Sequence, residues 1–318
     1  GTYATPKELL LFELQPKEAP ESGKDKDHQE VFNYQRALRH GMSSPLPLSL
    51  RLIRELHHIL LSGVRGRDKT PGEFRTIQVA IGATRRFVPP PPETLDACLH
   101  PLESYIHTAT DSVDALVNCF LVHYQFVTIH PFVDGNGRVG RLLVAMMLQE
   151  RCGFSKPWLY MSEFFERNRD EYTDALFSVS TSASWSRWIE FCLQGTLMQA
   201  KDTIARCRRL LDVREQYVKR IANVGGSIRL SQIVEDIFDT PFVRISTLAE
   251  KMKVTYPTAK NDVERLVQAG VVRELPDVFP KTFYAPEVFR VAYGELSEGG
   301  DDGGGGGDDA PGEVPRSE

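Results

Sequence analysis

One short stretch, His130–Arg141, constrains the fold more than any other part of the chain. It reads HPFVDGNGRVGR, and apolar residues at helical spacing follow it: Leu142, Leu143, Ala145, Met146 and Met147. We therefore predict a helix that begins near Gly137 and buries the face formed by these residues. The residues before Gly137 then form a turn at the amino end of that helix.

This turn has the properties of an anion-binding site. Free backbone N–H groups and the positive end of a helix dipole attract anions, by roughly 0.3–1 kcal/mol for each exposed charge. Gly135 and Gly137 let the backbone approach a ligand, because glycine has no Cβ. Arg138 and Arg141 lie three residues apart on one helix, so both guanidinium groups can reach one polyphosphate.

Asp134 and His130 add chemistry to this site. A carboxylate beside bound phosphates requires a cation between them, and Mg²⁺ commonly bridges one carboxylate to phosphate oxygens. His130 is placed to take a proton from an attacking hydroxyl, a role worth roughly 10²–10⁴ in rate. The alternative is a structural histidine with both arginines on a solvated helix face. We favour it less, because a structural loop does not need so many converging donors.

The stretch resembles the motif of the Fic family, HPFx[D/E]GNGRxxR. All nine fixed positions of that motif are matched, by His130, Pro131, Phe132, Asp134, Gly135, Asn136, Gly137, Arg138 and Arg141. The resemblance implies an enzyme that transfers a nucleoside monophosphate to a protein hydroxyl. The usual reaction uses ATP as substrate, transfers AMP and releases pyrophosphate.

The resemblance also implies a role for each motif residue. His130 would be the general base and Asp134 the ligand of a Mg²⁺ cofactor. Asn136 and the glycine backbone would hold the α-phosphate. Arg138 and Arg141 would hold the outer phosphates, and Phe132 would anchor the loop.

The segment PGEFRTIQVAIG, residues 71–82, precedes the motif and predicts a β-hairpin. Ile77, Val79 and Ile81 alternate with polar or small residues, and a turn after Gly82 leads to a second strand at residues 85–88. The segment resembles the Fic flap, which holds the target protein by strand addition. Five residues would dock the target: Ile77, Val79, Ala80, Ile81 and Gly82. The alternative is a purely structural hairpin.

A second element, after the motif, resembles the Fic NRxxY sequence. It is formed by Asn168, Arg169 and Tyr172, which in the family flank the adenine and ribose. Helix capping by Asn168 and core packing by Tyr172 are the alternative interpretation, and the residues themselves favour neither.

Composition limits what surrounds these motifs. The chain has 318 residues, 41% hydrophobic and 25% charged, which suits a globular protein of two domains. Its longest apolar run, Leu142–Leu148, is far shorter than the roughly 18 residues of a membrane helix. The five cysteines form no CxxC pair, and no signal-like segment opens the sequence. We therefore expect a cytoplasmic protein with reduced thiols and no membrane partner.

The region Ile228–Tyr293 resembles a winged-helix domain, with helices followed by a two-strand wing at residues 271–274 and 281–284. Its recognition helix would present four residues to a nucleic-acid groove: Thr255, Thr258, Lys260 and Asn261. However, the region carries nine basic and nine acidic side chains, whereas DNA binding usually needs a basic face. Self-association as a homo-oligomer, or docking onto the catalytic domain, is favoured over DNA binding.

Both ends of the chain differ from the middle. Residues 294–318 are rich in glycine and carry a net charge of −7, which leaves +2 on the rest of the total of −5; we expect a disordered acidic tail. Residues 1–30 are expected to be an N-terminal segment. Gly1 would fit the last letter of the inhibitory [S/T]xxxE[G/N] motif of Fic proteins, or it is unrelated to such a motif.

The sequence therefore predicts a mainly α Fic-type catalytic domain at 31–224, with a β-flap, and a winged-helix domain at 225–293. The predicted function is protein adenylyltransferase, a nucleotidyltransferase that labels Ser, Thr or Tyr of a target and also itself. One alternative is another Fic-type reaction, either transfer of a different phosphate-containing group or removal of AMP. The other is a DNA-binding regulator with a nucleotide-sensing Fic domain. The target, the base preference and the oligomeric state stay open.

Overall fold

The structure, a computed structural model, describes residues 23–64, 69–82, 85–108, 113–276 and 278–293. Most of these residues lie in α-helices, so the predicted mainly α fold is confirmed. The predicted acidic tail and the first 22 residues of the predicted N-terminal segment lie outside the described residues. None of the described helices combines the length and the hydropathy that spanning a membrane requires.

The helices of the first group are, in chain order, α1 (Gly23–Ser43), α2 (Leu50–Leu61), α3 (Leu95–Thr108), α4 (Ala115–Ile129), α5 (Asn136–Arg151), α6 (Met161–Arg167), α7 (Arg169–Ser182) and α8 (Trp185–Asn223). A second group follows with α9 (Ile228–Asp239), β1 (Phe242–Arg244), α10 (Ile245–Met252), α11 (Tyr256–Gln268), β2 (Arg273–Glu274), β3 (Thr282–Tyr284) and α12 (Pro286–Tyr293). The helix predicted to follow the motif turn is therefore present, and it begins one residue earlier than expected.

Helix α1 begins within the predicted N-terminal segment, residues 1–30. It begins at Gly23 and continues through the predicted domain boundary between residues 30 and 31. Asn33 is fully buried, and its Nδ2 donates to the carbonyl oxygens of Leu60 and Ser62 at 3.3 and 2.7 Å. These carbonyls lie at the end of α2, where the helix itself supplies no partner. The charged composition before residue 29 concealed the helix, because docking stabilises it more than its own apolar content does.

Helices α4 and α5 pack against each other in the main core and carry the motif turn between them. The carboxylate of Asp114 caps α4 by accepting from the N–H groups of Leu116 and Val117. Gly140 permits the close approach, since a Cβ there would lie 2.9 Å from Cγ1 of Val127. The turn is therefore mounted on two helices whose separation is fixed by packing.

The long helix α8 contributes to two cores. Near its start, Trp188 is fully buried and its Nε1–H donates to the carbonyl oxygen of Phe120 at 3.1 Å. Near its end, Tyr217 and Ile221 are buried in a second core together with residues of the C-terminal group. The predicted boundary at 224–225 follows the end of α8, but the last turns of the helix pack with the C-terminal group.

The C-terminal group contains an antiparallel sheet of three strands in the order β1-β3-β2. Phe283 of β3 pairs with Val243 of β1 on one side and with Glu274 of β2 on the other. The two strands predicted for the wing are thus present in shorter form, while β1 and α12 were not predicted. This element order is compatible with the winged-helix interpretation, which stays a prediction.

The hairpin before the motif is much shorter than predicted, so the prediction of two paired strands is wrong. Its two arms meet in a single antiparallel bridge, with Ile81 N–H donating to Phe87 O at 2.8 Å. In the register of that bridge, Val79 and Ile77 would face Pro89 and Pro91, which have no N–H group to donate. The alternating pattern therefore describes an extended segment, and the prolines prevent a longer ladder.

Candidate active site

His130 occupies the turn directly after α4. Its φ of 53° and ψ of 57° are left-handed, and its N–H donates to Phe126 O at 3.0 Å as the C-cap of the helix. The ring Nδ1 lies 3.1 Å from the carbonyl oxygen of Val127. Because a carbonyl can only accept, Nδ1 carries the proton, and Nε2 keeps a free lone pair. This is the tautomer that a general base needs.

The surroundings of His130 keep its ring neutral. Burial lowers the pKa of His130, and the nearby positive charge of Arg75 lowers it further. The hydrogen bond to Val127 and the charge of Asp134 act in the opposite direction but do not overcome burial. The imidazole is therefore unprotonated at neutral pH and can accept a proton.

The loop between His130 and α5 is folded around the side chain of Asn136. This side chain is buried; its Oδ1 accepts from the N–H of Phe132 at 2.9 Å, and its Nδ2 donates to the carbonyl of the same residue at 2.8 Å. Phe132 is fully buried, as expected of a loop anchor. The structure thus gives the Asn136 side chain the task of holding the loop. The α-phosphate role implied by the resemblance stays a prediction.

The N-terminus of α5 is open to a ligand. Its N-cap is Gly135, with a φ of 84°, and no side chain caps the helix. Within the described chain, no acceptor is bound to the backbone N–H groups of residues 136–138. The first turn also has no acidic side chain. These groups can therefore bind an anion, as the sequence predicts.

The two motif arginines differ in their present contacts. Nη2 of Arg138 donates to Asp134 Oδ2 at 3.2 Å, and its Nη1 lies 3.7 Å from Glu30 Oε2 on α1. Arg141 forms no hydrogen bond or ion pair with any residue that the structure describes. Its Nη1 lies close to Gly137 in the first turn of α5, 3.4 Å from the position that a Cβ on this glycine would occupy. Arg141 is thus beside the open helix end, whereas Arg138 is held by two carboxylates.

Asp134 is the predicted metal ligand. Its Oδ1 accepts from the N–H of Gly135 at 2.7 Å, and about half of its side chain is exposed. The described residues contain no cluster of three or more His, Cys, Asp or Glu that could hold a metal. A single exposed carboxylate beside an anion site suits a magnesium ion that takes its other ligands from phosphate and water.

The residues of the NRxxY sequence have structural contacts. Asn168 lies between α6 and α7, and its Nδ2 donates to Phe164 O at 2.9 Å. The hydroxyl of Tyr172 is bonded to Nε2 of His123 at 2.9 Å. Arg169 is exposed, 3.8 Å from Glu166. Capping and packing therefore describe Asn168 and Tyr172 here, and contact with a nucleotide stays a prediction.

The predicted docking residues form the extended segment before the bridge. Ile77 is 57% exposed, Gly82 is exposed, and Val79, Ala80 and Ile81 are half-buried. The backbone N–H groups of residues 77–80 donate to no other described residue. An added strand could pair with them, although target docking itself stays a prediction.

Three buried residues near the site were missed by the sequence analysis. The first is His57 on α2, whose Nε2–H donates to Asp134 O at 2.9 Å and whose Nδ1 accepts from Gly72 N–H at 2.8 Å. Its ring stacks on Phe132 with centroids 3.7 Å apart. Burial lowers the pKa of His57 to about 4. The available signal in the sequence was a histidine on the apolar face of α2.

The second missed residue is His123 on α4. Its Nδ1–H donates to Gly140 O at 3.0 Å, and its Nε2 accepts from the hydroxyl of Tyr172. Burial lowers the pKa of His123 to about 4. The histidine therefore joins α4, α5 and α7 behind the motif.

The third missed residue is Arg75, which lies within the flap segment, just before the predicted docking residues. Its Nε–H donates to the carbonyl oxygen of His130 at 2.9 Å, and its own backbone N–H donates to Pro131 O at 2.8 Å. No local pattern indicates this contact, because 55 residues separate Arg75 from His130.

Comparison with known proteins finds relatives for part of the chain. Residues 47–148 match the family model for the Fic/DOC family. The Protein adenylyltransferase Fic of Drosophila virilis is 36% identical over 132 residues, which are 40% of this chain and 26% of that protein. Its counterpart in Drosophila yakuba is 30% identical over 175 residues, 54% of this chain and 34% of that protein. The chain thus spans about a quarter to a third of the length of these relatives.

Two solved structures share the fold. A Fic family protein from Desulfovibrio desulfuricans G20 aligns with a TM-score of 0.53 at 19% identity, over 83% of this chain and 76% of that one. Fic-1 from C. elegans aligns with a TM-score of 0.54 at 22% identity, over 65% and 60% respectively. The region that matches the family model includes α2, α4, the motif turn and most of α5. Residues 47–148 of the chain are therefore similar to the Fic/DOC family.

Proposed function

We propose that this chain is a protein adenylyltransferase, which transfers AMP from ATP to a Ser, Thr or Tyr hydroxyl of a protein. The observation that carries the proposal is the free Nε2 of a neutral His130 in the short loop that leads to the open N-terminus of α5. A base next to an anion site suits the activation of a hydroxyl that attacks a phosphate. The relatives named Protein adenylyltransferase Fic support the same reaction.

The phosphates would bind at the start of α5. The N–H groups of residues 136–138 point to this position, and Arg141 is available to pair with an outer phosphate. Arg138 can join when phosphate oxygens replace one of its two carboxylate partners. Electrostatic stabilisation of the developing charge is usually the largest contribution to such a reaction.

In the transfer step, Nε2 of His130 accepts the proton of the target hydroxyl. The hydroxyl oxygen forms a bond to the α-phosphorus while the bond from that phosphorus to the bridging oxygen breaks. The electron pair of the broken bond leaves with pyrophosphate. The products are the AMP ester of the protein and pyrophosphate, and the proton then passes from His130 to solvent.

We propose that Asp134 holds a magnesium ion together with the phosphates. When bound, this ion neutralises phosphate charge and so makes the α-phosphorus easier to attack. Asp134 already supports the loop through its bond to the Gly135 N–H, so the carboxylate is preset at the mouth of the site.

The target would dock along residues 77–82 by strand addition. The N–H groups of residues 77–80, which donate to no residue in the described part of the chain, favour main-chain pairing, which fixes a hydroxyl in position while it reads few side chains. The extended segment leads through Arg75 to the loop of His130, so the docking strand and the base share one support.

Incubation of the chain with ATP, GTP, CTP or UTP, each labelled on the α-phosphate, tests the proposal. We expect label on protein, either on this chain or on proteins of an added extract. The label should come from ATP alone among the four nucleotides, and only in the presence of Mg²⁺. Intact-mass analysis should show the addition of one AMP group. Label from the γ-phosphate instead, or no transfer from any nucleotide with Mg²⁺ present, would contradict it.

A further inference from the structure

Arg75 is a buried arginine whose side chain, among the residues that the structure describes, is bonded to backbone carbonyl oxygens alone. Only 2% of the residue is exposed. The donors of the guanidinium reach four carbonyl oxygens: Ile77 at 3.1 Å, Pro90 at 2.5 Å, His130 at 2.9 Å and Ile129 at 3.4 Å. Burial is the largest influence on its pKa, which is lowered, but an arginine stays charged at neutral pH.

Two of these carbonyls belong to the end of α4. The last carbonyl oxygens of a helix lack helical partners and carry the negative end of its dipole, so a cation there is favourable. Arg75 therefore completes the C-terminus of α4 at Ile129 and His130. The left-handed backbone of His130 is uncommon for a residue other than glycine, and it needs support from its surroundings.

The other two carbonyls belong to the flap. Ile77 lies at the start of the extended docking segment, and Pro90 follows its return arm. One planar group thus joins both arms of the flap to the backbone of the base. Only arginine offers five N–H donors in one rigid fork, whereas lysine has three donors on one atom.

We propose that Arg75 is a positioning residue for the transfer reaction, which fixes the backbone of His130 and couples it to the flap. It touches neither nucleotide nor target. It acts by keeping Nε2 of His130 in line with a hydroxyl that the flap presents. This inference rests on the proposed function and adds a residue to it.

The test compares Arg75→Lys and Arg75→Met with wild type and with a matched arginine, Arg54→Met. Arg54 is exposed on α2 and also donates to the flap segment, at Gly72 O at 2.6 Å, but it does not contact His130. We expect kcat for AMP transfer to fall about 100-fold in Arg75→Met and about 10-fold in Arg75→Lys, because small misplacements of reacting groups cost this much. The dissociation constant for ATP should change less than about threefold in both, since α5 binds the phosphates. Arg54→Met should keep kcat within about threefold.

Thermal unfolding shows which variants are folded at the assay temperature. If Arg75→Met is not folded, the test rests on Arg75→Lys. A folded Arg75 variant with kcat within about threefold of wild type overturns the inference. So does a variant in which only the KM for the target rises, since Arg75 would then serve the flap alone.

Amide hydrogen exchange separates this inference from the proposed function. If wild type transfers no AMP, the proposed function fails, and exchange alone decides the role of Arg75. We expect Arg75→Lys to exchange faster than wild type at the His130 and Phe132 amides and at Ile81 and Phe87. Unchanged exchange at His130 and Phe132 would overturn the coupling.

Discussion

His130 combines two properties of a general base, a fixed tautomer and a neutral ring. The tautomer follows from one local hydrogen bond, between Nδ1–H and the carbonyl of Val127 three residues earlier. The neutral ring follows from burial and from Arg75, which is distant in sequence. The residue type was visible in the sequence, but its protonation was not.

Replacement of His130 by alanine should separate binding from catalysis. The nucleotide contacts come from α5 and the arginines, so the dissociation constant for ATP should change little. Transfer should fall by about 10²–10⁴, the range of general-base catalysis. Isothermal titration with ATP and the labelling assay measure the two quantities. His100→Ala, an exposed histidine of α3, is the control; labelling by His130→Ala at near the control rate would exclude the base role.

The pH dependence of transfer should report the lowered pKa of His130. A base acts only when unprotonated, so kcat/KM should stay high as the pH falls to 6.5, the ordinary value for histidine. It should decline only at lower pH, as the ring becomes protonated. A series of labelling rates in buffers from pH 5 to pH 8 measures this profile. A half-maximal rate above pH 6.5 would show that His130 is not the group that titrates.

At the scale of elements, two buried histidines connect helices to the motif. His57 joins α2 to the motif loop and to the start of the flap segment. His123 joins α4 to α5 and α7. Both rings are neutral acceptors at one nitrogen, and protonation would leave a buried charge and break a hydrogen bond. The packing around the site therefore depends on pH.

The free energy of unfolding should decrease between pH 6.5 and about pH 4. The folded pKa of His57 and of His123 is about 4, below the unfolded value of 6.5, so the unfolded chain binds more protons in this window. Their stabilisation is complete above pH 6.5 and is lost as the pH falls, by roughly 3 kcal/mol for each histidine.

Urea unfolding at several pH values measures this decrease. His57→Gln keeps a donor toward Asp134 and does not titrate, so its stability should decrease about half as much over the same window. An equal decrease in the variant and in wild type would mean that His57 does not cause it.

At the scale of the whole molecule, ion pairs involve several basic side chains of the C-terminal group. Arg229 pairs with the buried Asp262, and Lys260 of the predicted recognition helix lies 3.8 Å from Glu264. The hydroxyls of Thr255 and Thr258 bond to each other at 2.9 Å. The shape of this group is compatible with a winged helix, but its charge pattern does not favour phosphate contacts.

We therefore expect weak binding of this chain to duplex DNA. The dissociation constant should be no tighter than the roughly 10⁻⁴–10⁻⁶ M of non-specific binding at physiological salt. Fluorescence anisotropy with a labelled random duplex, at two salt concentrations, measures it. A nanomolar dissociation constant for any duplex, which weakens as the salt concentration rises, would restore the DNA-binding regulator as the better interpretation.

Local patterns predicted the parts of the fold that depend on neighbouring residues. Helices of the main core are visible in the sequence because their apolar residues recur with helical spacing, as at Leu52, Leu56 and Leu60. The start of α1 was not predicted because the residues before Val31 are polar, whereas the helix docks on α2 through contacts such as those of Asn33. The flap ladder was overestimated because alternation alone does not reveal which residues, here Pro89 and Pro91, lie opposite.

The sequence by itself determined the motif turn, its helix, and the chemical groups of the candidate site, because these lie within a dozen neighbouring residues. Only the tertiary structure decided how those groups are held. Arg75, His57 and His123 reach the motif from other elements, and each supplies hydrogen bonds that residues 130–141 cannot make for themselves. Burial among these elements, which no local pattern specifies, keeps the ring of His130 neutral.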